Sequence, residues 1–229
     1  MIANRHMSRT IVMAALAAFS LVAAVFNSGG QNGADQQAVS NQPVPAGTLG
    51  KYVGKDGAIT LPEDYRLKWI HLGSWYIEDK KGGPGEVHDV YAEPEAVVAF
   101  RNTGKWPQGA TLVKEIRTGQ KGEMTTGNVH WDGQIKQWFV MVKDAAKNSF
   151  PENPNWGRGW GWALYNIDDP KKNISTDYKL DCLACHVPAQ STDWIYTHGY
   201  PILHEKDGPF KKYPQETYNG NKPADTPKK

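Results

Sequence analysis

The sequence predicts an α+β fold that is mainly β, an antiparallel β-sheet with a few peripheral helices. Three observations carry this. Segments rich in Val, Ile, Tyr, Phe and Trp, bounded by Gly- or Pro-containing turns, outnumber segments with a helical signature. The chain has 229 residues, 39% hydrophobic and 22% charged, enough to bury a core. Its nine tryptophans suit a thick core or the wall of a pocket for a planar ligand.

Taken in order, the chain opens with Arg5, His6 and Arg9 ahead of an apolar run from Ile11 to Phe26. A basic start followed by an apolar run too short for an ordinary membrane span, which needs roughly 20 residues, reads as an export signal over 1–28. A retained membrane anchor is the alternative, because no clean small-residue cleavage site follows. Either way the folded part is expected in the periplasm. Residues 29–48 are Gln, Asn, Gly, Ala and Pro without periodicity, a flexible linker. The folded domain is expected over 49–215 and a disordered tail over 216–229.

Within the domain, Leu61-Pro62-Glu63-Asp64-Tyr65-Arg66 places Pro at a helix start with acids in the first turn, so a short helix leads into the apolar stretch Trp69 to Ile77. The turn Lys80 to Gly85 separates that stretch from a strand at Val87–Tyr91. Pro94 to Arg101 reads as a helix, with Gly104 just past its end. Ala110–Arg117, Ile135–Lys143 and Trp160–Tyr165 read as further strands. The net charge is only +2, and no basic run interleaved with aromatics occurs, which argues against nucleic-acid binding.

Cys182-Leu183-Ala184-Cys185-His186 is the most specific signal in the chain. Two thiols at this spacing can add across the vinyl groups of a haem, and the adjacent histidine then sits under the iron. The chain holds no third cysteine for a zinc site, and a thioredoxin-like pair needs neither the adjacent His nor export. Covalent haem c on a C-terminal attachment helix is therefore expected, with Cys182, Cys185 and His186 binding the cofactor and His186 ligating the iron. No methionine follows His186 to serve as a second axial ligand, which implies an open iron position.

Alternation along Ala110–Arg117 puts Leu112, Lys114 and Ile116 on one side, so an apolar side carries a lysine. Burial drives such a group toward the neutral, nucleophilic amine. Alternatively Lys114 snorkels at a rim, or the strand is an edge.

The order of segments from about Leu61 to Leu203 resembles the cytochrome P-460 family and its relative cytochrome c-prime-beta. The residues that carry the likeness are Leu61-Pro62 with Tyr65-Arg66, Val90-Tyr91 with Pro94-Glu95, Thr103-Gly104, Gly109 to Glu115, Val142-Lys143-Asp144, Asn155-Trp156, the Cys182 to His186 motif, Thr192-Asp193 and Tyr200-Pro201. The Trp- and Gly-rich stretch Trp156 to Trp162 departs from the family pattern. The resemblance implies that Lys114 is bonded through its side-chain nitrogen to a meso carbon of the haem. It also implies oxidation of hydroxylamine to nitrogen oxides at the open ferric position, delivery of electrons to an external acceptor such as a soluble cytochrome c, and a homodimer. Relatives of the prime-beta type lack the cross-link and bind nitric oxide or other gases, and that reading stands as the alternative.

His88, on a strand that the resemblance places near the haem, is the candidate proton acceptor, with a packing histidine as the alternative. Asp144, Asp168, Asp169 and Asp181 are further carboxylates near the matched segments. Trp138, Phe139, Trp160 and Trp162 are candidates for a pocket wall. No pattern distinguishes His71, His130, His198 or His204.

Overall fold

The structure is a computed structural model and describes residues 49–204. The expected export signal, linker and tail lie outside the described residues. Six strands form one antiparallel sheet in the order β1-β2-β3-β4-β6-β5: β1 (Ile70–Ile77), β2 (Glu86–Ala92), β3 (Thr111–Met124), β4 (Gly127–Lys143), β5 (Trp156–Gly157) and β6 (Trp160–Asn166). The first four form a meander in which each strand pairs with the one before it, as short connections favour.

Register divides the side chains between two faces. Val90, Lys114, Phe139 and Leu164 are directly opposed across four strands, and Leu112, Met141 and Trp162 form the next row of the same face. Tyr91, Val113, Val140 and Ala163 form a row on the other face. Both faces are covered. The first packs with α2 (Pro94–Thr103) and with the C-terminal segment through Leu72, Val90, Leu112, Trp160, Trp162, Trp194 and Ile195. The second packs under the N-terminal segment through Ile59, Tyr65, Val113, Trp138, Val140 and Tyr165. A strand buried on both faces is apolar at nearly every position, as Ala110-Thr111-Leu112-Val113 and Val140-Met141-Val142 are.

The charged exceptions on the second face are Asp89, to which Ser74 donates its hydroxyl at 2.5 Å, and the deeper Glu115, 1% exposed. Tyr65 donates its hydroxyl to this carboxylate; Arg66 donates from Nε at 2.9 Å and Nη2 at 2.5 Å, and Arg117 from Nε at 2.5 Å. Trp138 Nε1 donates to the Tyr65 oxygen at 2.9 Å and to Glu115 at 3.3 Å. A slip of β3 by one residue would aim Glu115 into the apolar first face and Lys114 at the Arg66 guanidinium, so this cradle holds the register.

The elements match the expected ones in type, with instructive differences in length. The first helix, α1, is a single turn at Tyr65–Lys68, starting after Pro62 rather than at it. Its placement follows the buried Tyr65 and its bond to Glu115. Gly104 ends α2 in the left-handed conformation (φ 71°), where its N–H reaches the Phe100 carbonyl at 2.7 Å. The β3–β4 hairpin runs far beyond the expected strands, pairing Gly119 to Met124 with Gly127 to Asp132. This part lies beyond the reach of β2, whose pairing stops at Thr118, and is mostly exposed. It therefore carries no apolar alternation to read. The expected attachment helix is two single turns, α3 (Tyr178–Asp181) and α4 (Leu183–His186), broken at Cys182 and continued by a 3₁₀ turn at Val187–Thr192.

Replacing Glu115 by Ala leaves the largely buried Arg117 with only the exposed Asp132, at 3.4 Å, as a counter-charge, and stability to urea is expected to fall by about 3 kcal/mol, the low end for a broken buried pair because Asp132 remains and Arg66 reaches solvent. A loss below about 0.5 kcal/mol, the level of an ordinary surface change, would contradict the role assigned to the cradle.

Candidate haem site

A cavity of about 340 Å³ lies between the first face of the sheet and the C-terminal segment. Val90, Leu112, Phe139 and Met141 provide its apolar floor, and His88 and Lys114 reach it from the same strands. Cys185, His186, Ile195, Tyr196 and Tyr200 close it from the other side. The volume falls in the range usual for small-molecule and cofactor sites, roughly 300–1,000 Å³, and the wall is dominated by apolar and aromatic groups with a few placed polar ones.

Lys114 belongs to a central strand, with β2 and β4 on either side, so it is not an edge residue. Its Nζ stands 4.3 Å from the centre of the Phe139 ring, within the cavity. Desolvation lowers its pKa below the usual lysine value; Cys185, Cys182 and Glu86 oppose this electrostatically. The amine is thus biased toward its nucleophilic form.

His186 lies at the end of α4. Its Nδ1 is 2.6 Å from the Trp194 carbonyl, which can only accept, so Nδ1 carries the proton and Nε2 the free lone pair. Burial pushes its pKa down to about 4, against the carbonyl bond, which raises it, and with a smaller contribution from Lys114. The imidazole is neutral at ordinary pH, in the tautomer that a metal ligand needs. Trp162 meets the ring edge-on at 5.0 Å between centroids.

The two thiols stand three positions apart around a turn. Cys185 is exposed and lines the cavity, whereas Cys182 is buried at the break between α3 and α4, its pKa pushed up to about 11 by desolvation. Tyr196 donates its hydroxyl to the Cys185 carbonyl at 2.6 Å and so ties α4 to the far wall. An apolar slot, one thiol on its wall with a second three positions before it, and an imidazole with a free Nε2 are the donor set that a c-type haem requires. Among the described residues no cluster of three or more His, Cys, Asp and Glu is placed to hold a bare metal ion.

His88 shares the cavity. Its Nε2 is 3.3 Å from Glu86 Oε2, and the other Glu86 oxygen pairs with Lys136 near the surface. Burial lowers the His88 pKa below its ordinary value of 6.5, Lys114 adds to this, and Glu86 opposes it.

The remaining candidates separate cleanly. Phe139 lines the cavity, Trp162 packs against His186, and Trp160 is buried on the same face. Trp138 lies on the opposite face in the Glu115 cradle. Asp144 accepts from Ser149, and Asp181 from Ser175 and Thr176, so both organise loops; neither they nor Asp168 and Asp169 line the cavity. His71 pairs with Asp89, His130 packs on Tyr76, His198 on Trp75, and His204 contacts the Thr197 carbonyl. Reading the sequence missed Trp75, Tyr196, Tyr200 and the Trp194 carbonyl. Three of these lie in a C-terminal stretch of short 3₁₀ turns, which has no periodicity to reveal its inward face.

In protein kept free of haem by replacing Cys182 and Cys185 with alanine, Lys114→Met is expected to raise the urea midpoint at pH 7. The folded-state pKa of Lys114 lies below the unfolded one, so the lysine costs stability at neutral pH and this cost vanishes as pH rises through the unfolded value of 10.5. The gain from methionine is accordingly expected to shrink as pH rises toward 10.5. A lower midpoint at pH 7 would mean that the ammonium is compensated.

A model of the cytochrome P-460 family matches residues 62–197, more than half of the chain. No curated protein matches it.

Proposed function

The chain belongs to the cytochrome P-460 family of haem proteins, which includes enzymes acting on hydroxylamine, and on that premise we propose that it is an exported mono-haem c oxidoreductase that converts hydroxylamine to nitrogen oxides in the periplasm. In this reading Cys182 and Cys185 hold the haem covalently, His186 ligates its iron, and the Lys114 nitrogen is bonded to the ring. The observation that carries the proposal is one cavity that gathers Lys114 from the middle of the sheet with Cys185 and His186 from a motif about seventy positions later in the chain.

A haem held by Cys182, Cys185 and His186 would supply an electron-accepting iron. The protein side of the chemistry follows from the residues already placed. Phe139, Met141 and Val90 limit water in the slot and so strengthen local electrostatics. Neutral His88 is the group available to take protons from a nitrogen substrate, and Glu86, at 3.3 Å and half-exposed, offers the next station toward solvent. Electrons leave to an external acceptor such as a soluble cytochrome c, and the family expectation of a homodimer is kept as part of the proposal.

The test is steady-state oxidation of hydroxylamine by the purified holoprotein, read alongside the reduced absorption spectrum. Turnover, together with a Soret band displaced far to the red, is expected. An ordinary c-type spectrum with no turnover would favour a gas-binding or electron-carrying protein with Lys114 unattached.

The same assay tests His88. Because the imidazole must be neutral, activity is expected to fall in acid through a pKa below 6.5, the direction in which burial moves this group. His88→Gln is expected to lower kcat about 100-fold and to remove that acid limb while leaving the haem spectrum in place. An unchanged acid limb would assign it to another group.

A further inference from the structure

The hydrogen bond that orients His186 comes from a backbone under constraint. Asp193 and Trp194 are consecutive non-glycine residues in the left-handed region, with φ of 56° and 68°. This conformation is disfavoured for residues with a Cβ and persists only where the surroundings hold it. Their arrangement delivers the Trp194 carbonyl to His186 Nδ1 at 2.6 Å.

What holds it is a buried cation. Lys143, the last residue of β4, has a side chain 7% exposed, and its Nζ lies 2.9 Å from the Asp193 carboxylate. Trp160 supports both partners: its ring lies 4.8 Å from Lys143 Nζ, and its Nε1 donates to the Asp193 carbonyl at 3.0 Å. Gly159, itself at φ 80°, leaves room for the ammonium, since a Cβ there would stand 3.2 Å from Nζ. On the far side of the turn the Arg158 guanidinium lies 5.7 Å from the Trp194 ring centre.

We propose that the Lys143–Asp193 pair is a positioning device for His186: it clamps the strained Asp193–Trp194 turn to the sheet, so that the Trp194 carbonyl keeps a short hydrogen bond to Nδ1 and sets how strongly Nε2 donates. Neither residue lines the cavity or touches a substrate there. The inference rests on His186 being the iron ligand. A stronger bond at Nδ1 makes the imidazole a more basic ligand, which favours ferric iron and stiffens the iron–nitrogen bond.

The experiment uses holoprotein. Lys143→Met removes the cation and keeps much of its stem, and Asp193→Gly removes the carboxylate while tolerating the left-handed backbone, so it keeps the test open if the first variant fails to fold. Resonance Raman spectra of the ferrous protein are read for the iron–histidine stretch, and the midpoint potential is measured by spectroscopic titration. Both variants are expected to retain haem, with the stretch moved to lower frequency and the potential to a higher value. The double variant is expected to shift no further than the larger single one, as for two residues acting through one contact. A wild type that shows the iron–histidine band and variants that leave both readouts unmoved would overturn the positioning role alone. A wild type with no such band would overturn a five-coordinate ferrous iron with His186 as its one protein ligand, on which the inference rests.

Discussion

The arrangement depends first on a carboxylate that has nothing to do with the cavity. Glu115 is buried on the face of β3 opposite the site and is satisfied by Tyr65, Arg66, Arg117 and Trp138. Side chains on a strand alternate, so fixing Glu115 on one face fixes Lys114 on the other. A buried ion network of this kind adds little net stability compared with an apolar replacement, but it makes the wrong register very costly. The sheet can then be apolar on both sides without losing its pairing, and the cavity receives its single amine at a defined row between Val90 and Phe139.

Opposite that row, the C-terminal segment solves a different problem. Single turns of helix are too short to stand by propensity, so α3, α4 and the 3₁₀ turns are held by tertiary contacts: Trp162 against His186, Tyr196 to the Cys185 carbonyl, and Ser175 and Thr176 to Asp181. The break at Cys182 places one thiol inside and the other at the cavity edge. His186 is left neutral by burial and oriented by one carbonyl, which is what a metal ligand needs from its protein.

Much of this was legible in the sequence. Strands with apolar, β-branched or aromatic character on a buried face announced themselves, as did α2 with Pro94 at its start and Gly104 at its end, and the Cys182 to His186 motif. Lys114 was visible as a charge on an apolar side. The far half of the β3–β4 hairpin was not, because Gln120 to Met124 are mostly exposed and carry no pattern. Nor was the cradle of Glu115, whose partners lie on α1, β3 and β4 and meet only in three dimensions. The walls supplied by Tyr196 and Tyr200, and the carbonyl of Trp194, depend on left-handed and 3₁₀ backbone that residue types alone do not specify.

The central claim is that β3 presents Lys114 to a haem held by the Cys182 to His186 motif. A tryptic map of the purified, denatured holoprotein tests it most directly. The expected result is a single haem-containing species in which the peptide bearing Lys114 travels with the peptide bearing Cys182 and Cys185. Recovery of Lys114 in a free peptide, with haem on the two cysteines alone, would contradict the claim and leave the cavity as a site for gas binding or electron transfer.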